Sequence, residues 1–128
     1  MEKEFVPYEL ALKLKQLGFD EPCFGWFRNT EFTISFNDLY PKERGEEIEI
    51  IKAPTFSQAF RWFREKYGLS GWVDESFGGS LRRGVISIKS ETGSEYYPST
   101  TKLFYTYEEA ELDCLTNLIE IVEQKENI

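Results

Sequence analysis

The segment EFTISF, residues 31–36, decides the predicted fold, because apolar and polar side chains alternate along it. Alternation of this kind is typical of a β-strand that buries one face and exposes the other. Parallel strands are covered on both faces and read as continuous apolar runs, so this pattern favours an antiparallel sheet. Residues 23–28 precede the segment across a short turn at Asn29 and Thr30, which predicts a β-hairpin.

Further strands are predicted where the alternation returns more weakly. One contains Ile48 and Ile50, and another contains Ile86 and Ile88. Fainter strand signals occupy residues 71–74 and 102–105. Three stretches lack a regular pattern and are expected to be irregular: residues 37–46, 75–83 and 90–101.

Three segments show the spacing of apolar residues that is typical of amphipathic helices. The first runs from about Pro7 to Leu17, and Gly18 supplies a left-handed ending of the Schellman type. The second begins at Thr55 and ends at Gly68, and the third begins at Thr106. Both later helices start with a capping box, formed by Thr55 with Gln58 and by Thr106 with Glu109.

The order of these elements predicts an α+β fold. Short strands that follow one another in hairpins, with helices between them, favour helices segregated to one side of a sheet. We therefore expect a mostly antiparallel sheet of about five strands with three helices packed on one face. The 128 residues show no break in composition, so they are expected to form one compact domain, residues 1–128.

The chain contains no histidine, and this absence removes whole classes of chemistry. Ser-His-Asp and Cys-His nucleophile systems both require it, as do mixed Cys/His zinc sites. The two cysteines, Cys23 and Cys114, are too few for a four-cysteine site and are expected to be small buried side chains that stay reduced. Clusters of carboxylates at residues 43–49 and 108–113 fit solvated surfaces. We expect a non-enzymatic protein with no metal and no cofactor.

The net charge of −8 opposes the general attraction to phosphate backbones, so nucleic acid is a disfavoured partner. The sequence has no signal-peptide pattern and no apolar run of the roughly 20 residues that a membrane span needs. A cytoplasmic protein without membrane contact is therefore expected.

The segment from Glu75 to Gly84 is the most suggestive loop. Gly78 and Gly79 give the backbone freedom to present N–H groups to an anion, and Arg82 and Arg83 could add bidentate contacts. The loop lacks the P-loop pattern, and the alternative is a flexible hairpin connection with solvated arginines.

Trp62 is the other candidate binding residue. It lies off the apolar stripe of the second predicted helix and close to basic residues. An exposed tryptophan in such a place would suit an interface anchor, and it could equally cover an edge of the core.

Several long strings resemble a group of small uncharacterised proteins from phage and mobile-element regions of anaerobic gut bacteria. They are residues 5–11 and 18–25, residues 53–69, residues 106–111 and residues 118–122. The resemblance spans most of the chain, and residues 72–101 depart most from the pattern. It implies no activity, because none is known for the group.

Three functional hypotheses follow. The leading one is a non-enzymatic phage or mobile-element accessory protein that binds another protein, through Arg82, Arg83 and Trp62. The second is a module for a small anionic ligand or nucleotide, held by the Gly78–Gly79 backbone and the same arginines. The third is nucleic-acid binding by stacking of bases on aromatic side chains of a sheet face.

Overall fold

The computed structural model describes residues 2–34, 50–75, 80–90, 93–98 and 102–126, without the side chains at positions 90, 94 and 97. Within these residues the fold is α+β, with three helices and two antiparallel three-stranded sheets. In chain order the elements are α1 (Tyr8–Gln16), β1 (Gly25–Arg28), β2 (Glu31–Ile34), β3 (Ile50–Ala53), α2 (Phe56–Tyr67), β4 (Leu69–Asp74), β5 (Arg83–Ser90), β6 (Gly93–Pro98) and α3 (Tyr107–Glu126). The chain divides into two compact units, an N-terminal unit (Met1–Ser57) and a C-terminal unit (Gln58–Ile128).

The N-terminal unit contains the sheet with strand order β2-β1-β3, and α1 packs against β3. The predicted hairpin is confirmed: β1 pairs with β2 across Asn29 and Thr30, whose φ angles of 49° and 70° are those of a tight primed turn. The predicted Schellman ending of α1 is also confirmed. Gly18 has a φ of 100°, and the Phe19 N–H donates to the Leu14 carbonyl at 2.9 Å.

The C-terminal unit contains the sheet with strand order β4-β5-β6. Helix α3 lies on one face of this sheet, against β4 and β5. Gly71 of β4 makes that approach possible, because a Cβ atom there would lie 2.8 Å from Leu118 Cδ1 and 3.0 Å from Cys114 Sγ. The helix buries a continuous apolar face: Ala110, Cys114, Leu115, Leu118, Ile119 and Val122.

The helix boundaries largely follow the sequence signals. The predicted capping box of α3 is present, because Glu109 N–H donates to Thr106 Oγ1 at 3.1 Å and the Thr106 hydroxyl donates to the Glu109 carboxylate at 2.8 Å. Helix α2 ends at Gly68, which has a φ of 68°. Its predicted apolar stripe is buried, with Phe63 at its centre fully inaccessible to solvent.

The sheet prediction is only partly correct. Two sheets of three strands are described in place of one sheet of about five, because alternation identifies a strand and carries no information about its distant partner. Strand β6 falls in residues 90–101, which were expected to be irregular. It lies at a sheet edge, is rich in polar residues and ends at Pro98, so it lacks the apolar pattern of a central strand. Ile48, part of the predicted third strand, lies outside the described residues.

Candidate binding surface

Arg82 connects the start of β5 to the segment that precedes α3. Its backbone forms two hydrogen bonds with Phe104, at 2.9 Å and 2.7 Å, so the two residues form an isolated antiparallel bridge. Its guanidinium forms an ion pair with Glu75 at 3.1 Å and donates to the main-chain carbonyl of Tyr105. Arg82 therefore fixes the chain on the N-terminal side of α3, and we call these contacts the Arg82 clamp.

In the clamped segment, every residue from 102 to 107 except Phe104 is exposed. Its large side chains are Leu103, 42% exposed, Tyr105, 72% exposed, and Tyr107, 44% exposed, whereas Phe104 is half-buried. We call the side chains of Leu103, Tyr105 and Tyr107 the 103–107 strip. Large apolar groups held in water by a rigid backbone mark interaction surfaces, because nothing in the fold requires their exposure.

Carboxylates surround the Tyr107 end of the strip. Partial burial raises the pKa of the Tyr107 phenol, and the negative charges of Glu111, Glu75 and Glu108 raise it further. The pKa of Glu111 is itself raised, first by desolvation and then by the charge of Glu108. Glu75 is paired with Arg82, whereas Glu108 and Glu111 have no cationic partner in the part of the chain that the structure describes.

A second group of exposed aromatic side chains lies on the face of the β4-β5-β6 sheet opposite to α3. Trp72 is 39% exposed and Tyr96 67% exposed, and their rings meet edge to face with centroids 5.9 Å apart. Ser87 of the central strand lies on the same face and is buried. The register also places Arg83 and Lys89 on this outer sheet face, with Asp74 directly opposite Arg83.

The predicted site residues differ in whether the structure describes them and in where they lie. Gly78 and Gly79 lie outside the described residues. Arg83 is half-buried at the start of β5. Arg82 was predicted to contact a partner, with a solvated residue of a hairpin connection as the alternative. In the structure its backbone and its guanidinium hold the segment before α3, and contact with a partner stays a prediction.

Trp62 was predicted either to be an exposed interface anchor or to cover an edge of the core. Only 6% of the residue is accessible, which agrees with the second interpretation. Its ring packs edge to face on Phe63 and Tyr67, at centroid distances of 5.1 Å and 5.5 Å. The ammonium group of Lys66 lies 4.9 Å from the ring centroid. The buried face of α2 is thus wider than the stripe read from the sequence.

A cavity of about 80 Å³ lies in the N-terminal unit. It is lined by Ala11, Lys15, Phe19, Asp20, Ile50 and Lys52. Lys52 is held at its rim by the Asp20 carboxylate, with Nζ and Oδ1 3.0 Å apart. Ligand pockets for larger molecules usually measure about 300–1,000 Å³, so this cavity is too small for a nucleotide.

Both cysteines are buried, as predicted. Burial raises the pKa of the Cys114 thiol to about 12, although weak contacts with the carbonyls of Trp72 and Val85 act in the opposite direction. A thiol with so high a pKa is not a nucleophile near neutral pH.

Two further observations concern the described residues, and a third concerns the whole sequence. In the parts of the chain that the structure describes, no three His, Cys, Asp or Glu side chains come together as metal ligands. No helix among the described residues has both the length and the apolar character that crossing a membrane requires. Comparisons with protein-family models, with curated proteins and with solved structures give no match.

Proposed function

We propose that this chain is a non-enzymatic binding protein that captures another protein through the 103–107 strip. The observation that carries the proposal is the exposure of Leu103, Tyr105 and Tyr107 on a backbone that the Arg82 clamp holds in place. Tyrosine is enriched at binding hot spots, because its ring adds contact area and its hydroxyl adds a hydrogen bond. A surface that is already ordered loses little conformational entropy on binding.

The resemblance to proteins of phage and mobile-element regions supports the role of an accessory protein. Proteins of this type that lack catalytic machinery act through the partners they bind. The absence of histidine and the inert environment of Cys114 agree with such a role.

Binding of single-stranded nucleic acid to the outer sheet face is the second candidate. Trp72 and Tyr96 offer rings on which bases could stack, and Arg83 and Lys89 share their face. The net charge of −8 opposes this function, and the two rings already contact each other.

Two matched variants test the proposal. Tyr105 and Tyr96 are exposed to a similar degree in the same unit, at 72% and 67%, so Tyr105→Ala and Tyr96→Ala remove equal side chains from the two surfaces. The full chain and both variants are immobilised at equal density and exposed to a lysate of an anaerobic gut bacterium, and captured molecules are identified by mass spectrometry. Nuclease treatment of a parallel sample detects capture through nucleic acid.

The proposal expects defined proteins that bind the unchanged chain and Tyr96→Ala, resist nuclease treatment and are lost with Tyr105→Ala. It is contradicted if Tyr105→Ala retains all of them, or if the unchanged chain captures none. Recovery of nucleic acid that is lost with Tyr96→Ala would establish the second candidate instead.

A further inference from the structure

We infer that the 103–107 strip binds a short, basic and partly apolar peptide segment of its partner, an inference that rests on the proposed function. The strip supplies the apolar contact, and its neighbours supply the charge. Leu112 lies on the same helix, one turn after Glu108, and is 39% exposed. An occupant must therefore bring apolar side chains to the rings and positive charge to the carboxylates.

The charge beside the strip is available to a ligand. Glu109 is engaged by the cap hydroxyl of Thr106, and Glu75 is engaged by Arg82. Among the described residues, neither Glu108 nor Glu111 has a cationic partner. Desolvation has already raised the pKa of Glu111, so an incoming ammonium or guanidinium group would relieve a charge that the fold holds at a cost.

The size of the strip favours a short segment. Its three side chains belong to five residues, the last of which, Tyr107, begins α3. A stable interface between two globular surfaces needs about 800 Å² from each partner, which is more than three side chains provide. A segment of a few residues matches this size.

Other occupants fit the charge poorly. A second copy of this chain carries the same net charge of −8, so two copies repel each other. Single-stranded nucleic acid and anionic lipid would each place phosphates against Glu108 and Glu111. A basic segment of another protein is the occupant whose charge complements the surface.

The test uses two pairs of glutamates on the same helix. Glu108→Gln with Glu111→Gln removes the charge beside the strip, and Glu120→Gln with Glu123→Gln removes the same charge at the other end of α3. In each pair one residue is exposed and one is half-buried. The probe is a short fluorescent peptide of Lys and Leu, compared with a peptide of Glu and Leu, and affinity is measured by fluorescence anisotropy with the full chain.

We expect the lysine peptide to bind and the glutamate peptide not to bind. The Glu108/Glu111 pair should weaken binding about fivefold to tenfold, and the Glu120/Glu123 pair less than about twofold, since solvent and salt screen distant charges. The difference should shrink at about 1 M salt, where the Debye length is about 3 Å. Thermal unfolding of each variant confirms that it is folded.

Equal losses in the two pairs would overturn the inference, because they would show only attraction to an acidic chain. Absence of lysine-peptide binding would overturn it as well. If partner capture still depends on Tyr105 in either case, the proposed function stands and only the ligand chemistry is wrong. If Tyr105→Ala changes neither capture nor peptide binding, both fail.

Discussion

The 103–107 strip and the outer sheet face both expose aromatic side chains of the C-terminal unit, and they differ in what surrounds the rings. Trp72 and Tyr96 contact each other, and Ser87 is buried on the face that they share. Tyr105 has no ring partner among the described residues, and its backbone carbonyl is held by Arg82. The sheet-face rings thus satisfy part of their contact with each other, whereas Tyr105 makes no ring contact among the described residues.

The two surfaces also differ in the charged residues beside them. On the outer sheet face Arg83 lies opposite Asp74, and Lys89 is exposed near the end of β5. Among the described residues, the carboxylates of Glu108 and Glu111 beside the strip have no cationic partner, and one basic residue, Lys102, precedes the strip. Exposure alone therefore does not distinguish the two surfaces, whereas the backbone contacts of Arg82 and the carboxylates beside the strip do.

The largest change in the free energy of unfolding should come from a residue of the protein interior. This change is the reference for substitutions on the two surfaces. Phe63→Ala removes a fully buried ring from α2 and should lower the free energy of unfolding by roughly 3–5 kcal/mol. Tyr105→Ala removes a ring that is 72% exposed and should change it by no more than about 0.5 kcal/mol. Urea denaturation measures both. A loss with Tyr105→Ala approaching that of Phe63→Ala would mean that the strip belongs to the core.

A smaller effect is expected from the clamp. Arg82→Ala removes an ion pair and a hydrogen bond from a guanidinium that is mostly buried, and should cost about 1 kcal/mol. Hydrogen exchange at the Phe104 amide should quicken, because the alanine variant keeps the carbonyl that accepts this bond but loses the guanidinium contacts with Glu75 and Tyr105 that support the bridge.

Arg61→Ala is the matched control for the clamp. The Arg61 side chain is 52% exposed and lies 4.0 Å from Glu65 on the helix surface, where ion pairs contribute little, so its loss should be near neutral. If Arg82→Ala is equally neutral and leaves exchange at Phe104 unchanged, the clamp does not order the strip.

The smallest effect concerns Glu111. Its pKa is raised in the folded protein, so the folded state is penalised above that pKa and the penalty disappears below the ordinary value of 4.5. Glu111→Gln should therefore stabilise the chain at neutral pH, by at most about 0.5 kcal/mol, with no gain below pH 4.5. Melting temperatures of Glu111→Gln and of the exposed control Glu120→Gln, measured across this pH range, test the sign. A gain that persists in acid would show that Glu111 is not the titrating group.

Local elements were predictable from the sequence because their signals are local. Gly18 and Gly68 end helices at positive φ, and Asn29 with Thr30 forms a turn between strands that pair with each other. The division into two sheets was not predictable, because β3 and β4 are separated by α2 and no local pattern says which strands share a sheet. Helical spacing left the burial of Trp62 open, because it describes a narrow stripe of the helix, which large neighbouring rings widen.

Only part of the candidate surface was predicted from the sequence. Arg82 was singled out as a binding residue for its charge. In the structure its guanidinium pairs with Glu75 and donates a hydrogen bond to a backbone carbonyl. Two features of the sequence are consistent with the clamp. They are the opposite charges of Glu75 and Arg82 on either side of a glycine-rich segment, and the faint strand signal at residues 102–105. The exposure of Tyr105 could not be read from the sequence, because an aromatic residue beside a strand signal is usually buried.

The most direct test of the central claim is a titration with the lysine-containing peptide, followed by NMR of the full chain with fluorine-labelled tyrosine and tryptophan. Resonances are assigned through Tyr105→Phe, Tyr107→Phe, Tyr96→Phe and Trp72→Phe. We expect the resonances of Tyr105 and Tyr107 to shift in a saturable way, while those of Tyr96 and Trp72 stay in place. Shifts at Tyr96 and Trp72 with none at Tyr105 would place binding on the outer sheet face and contradict the claim.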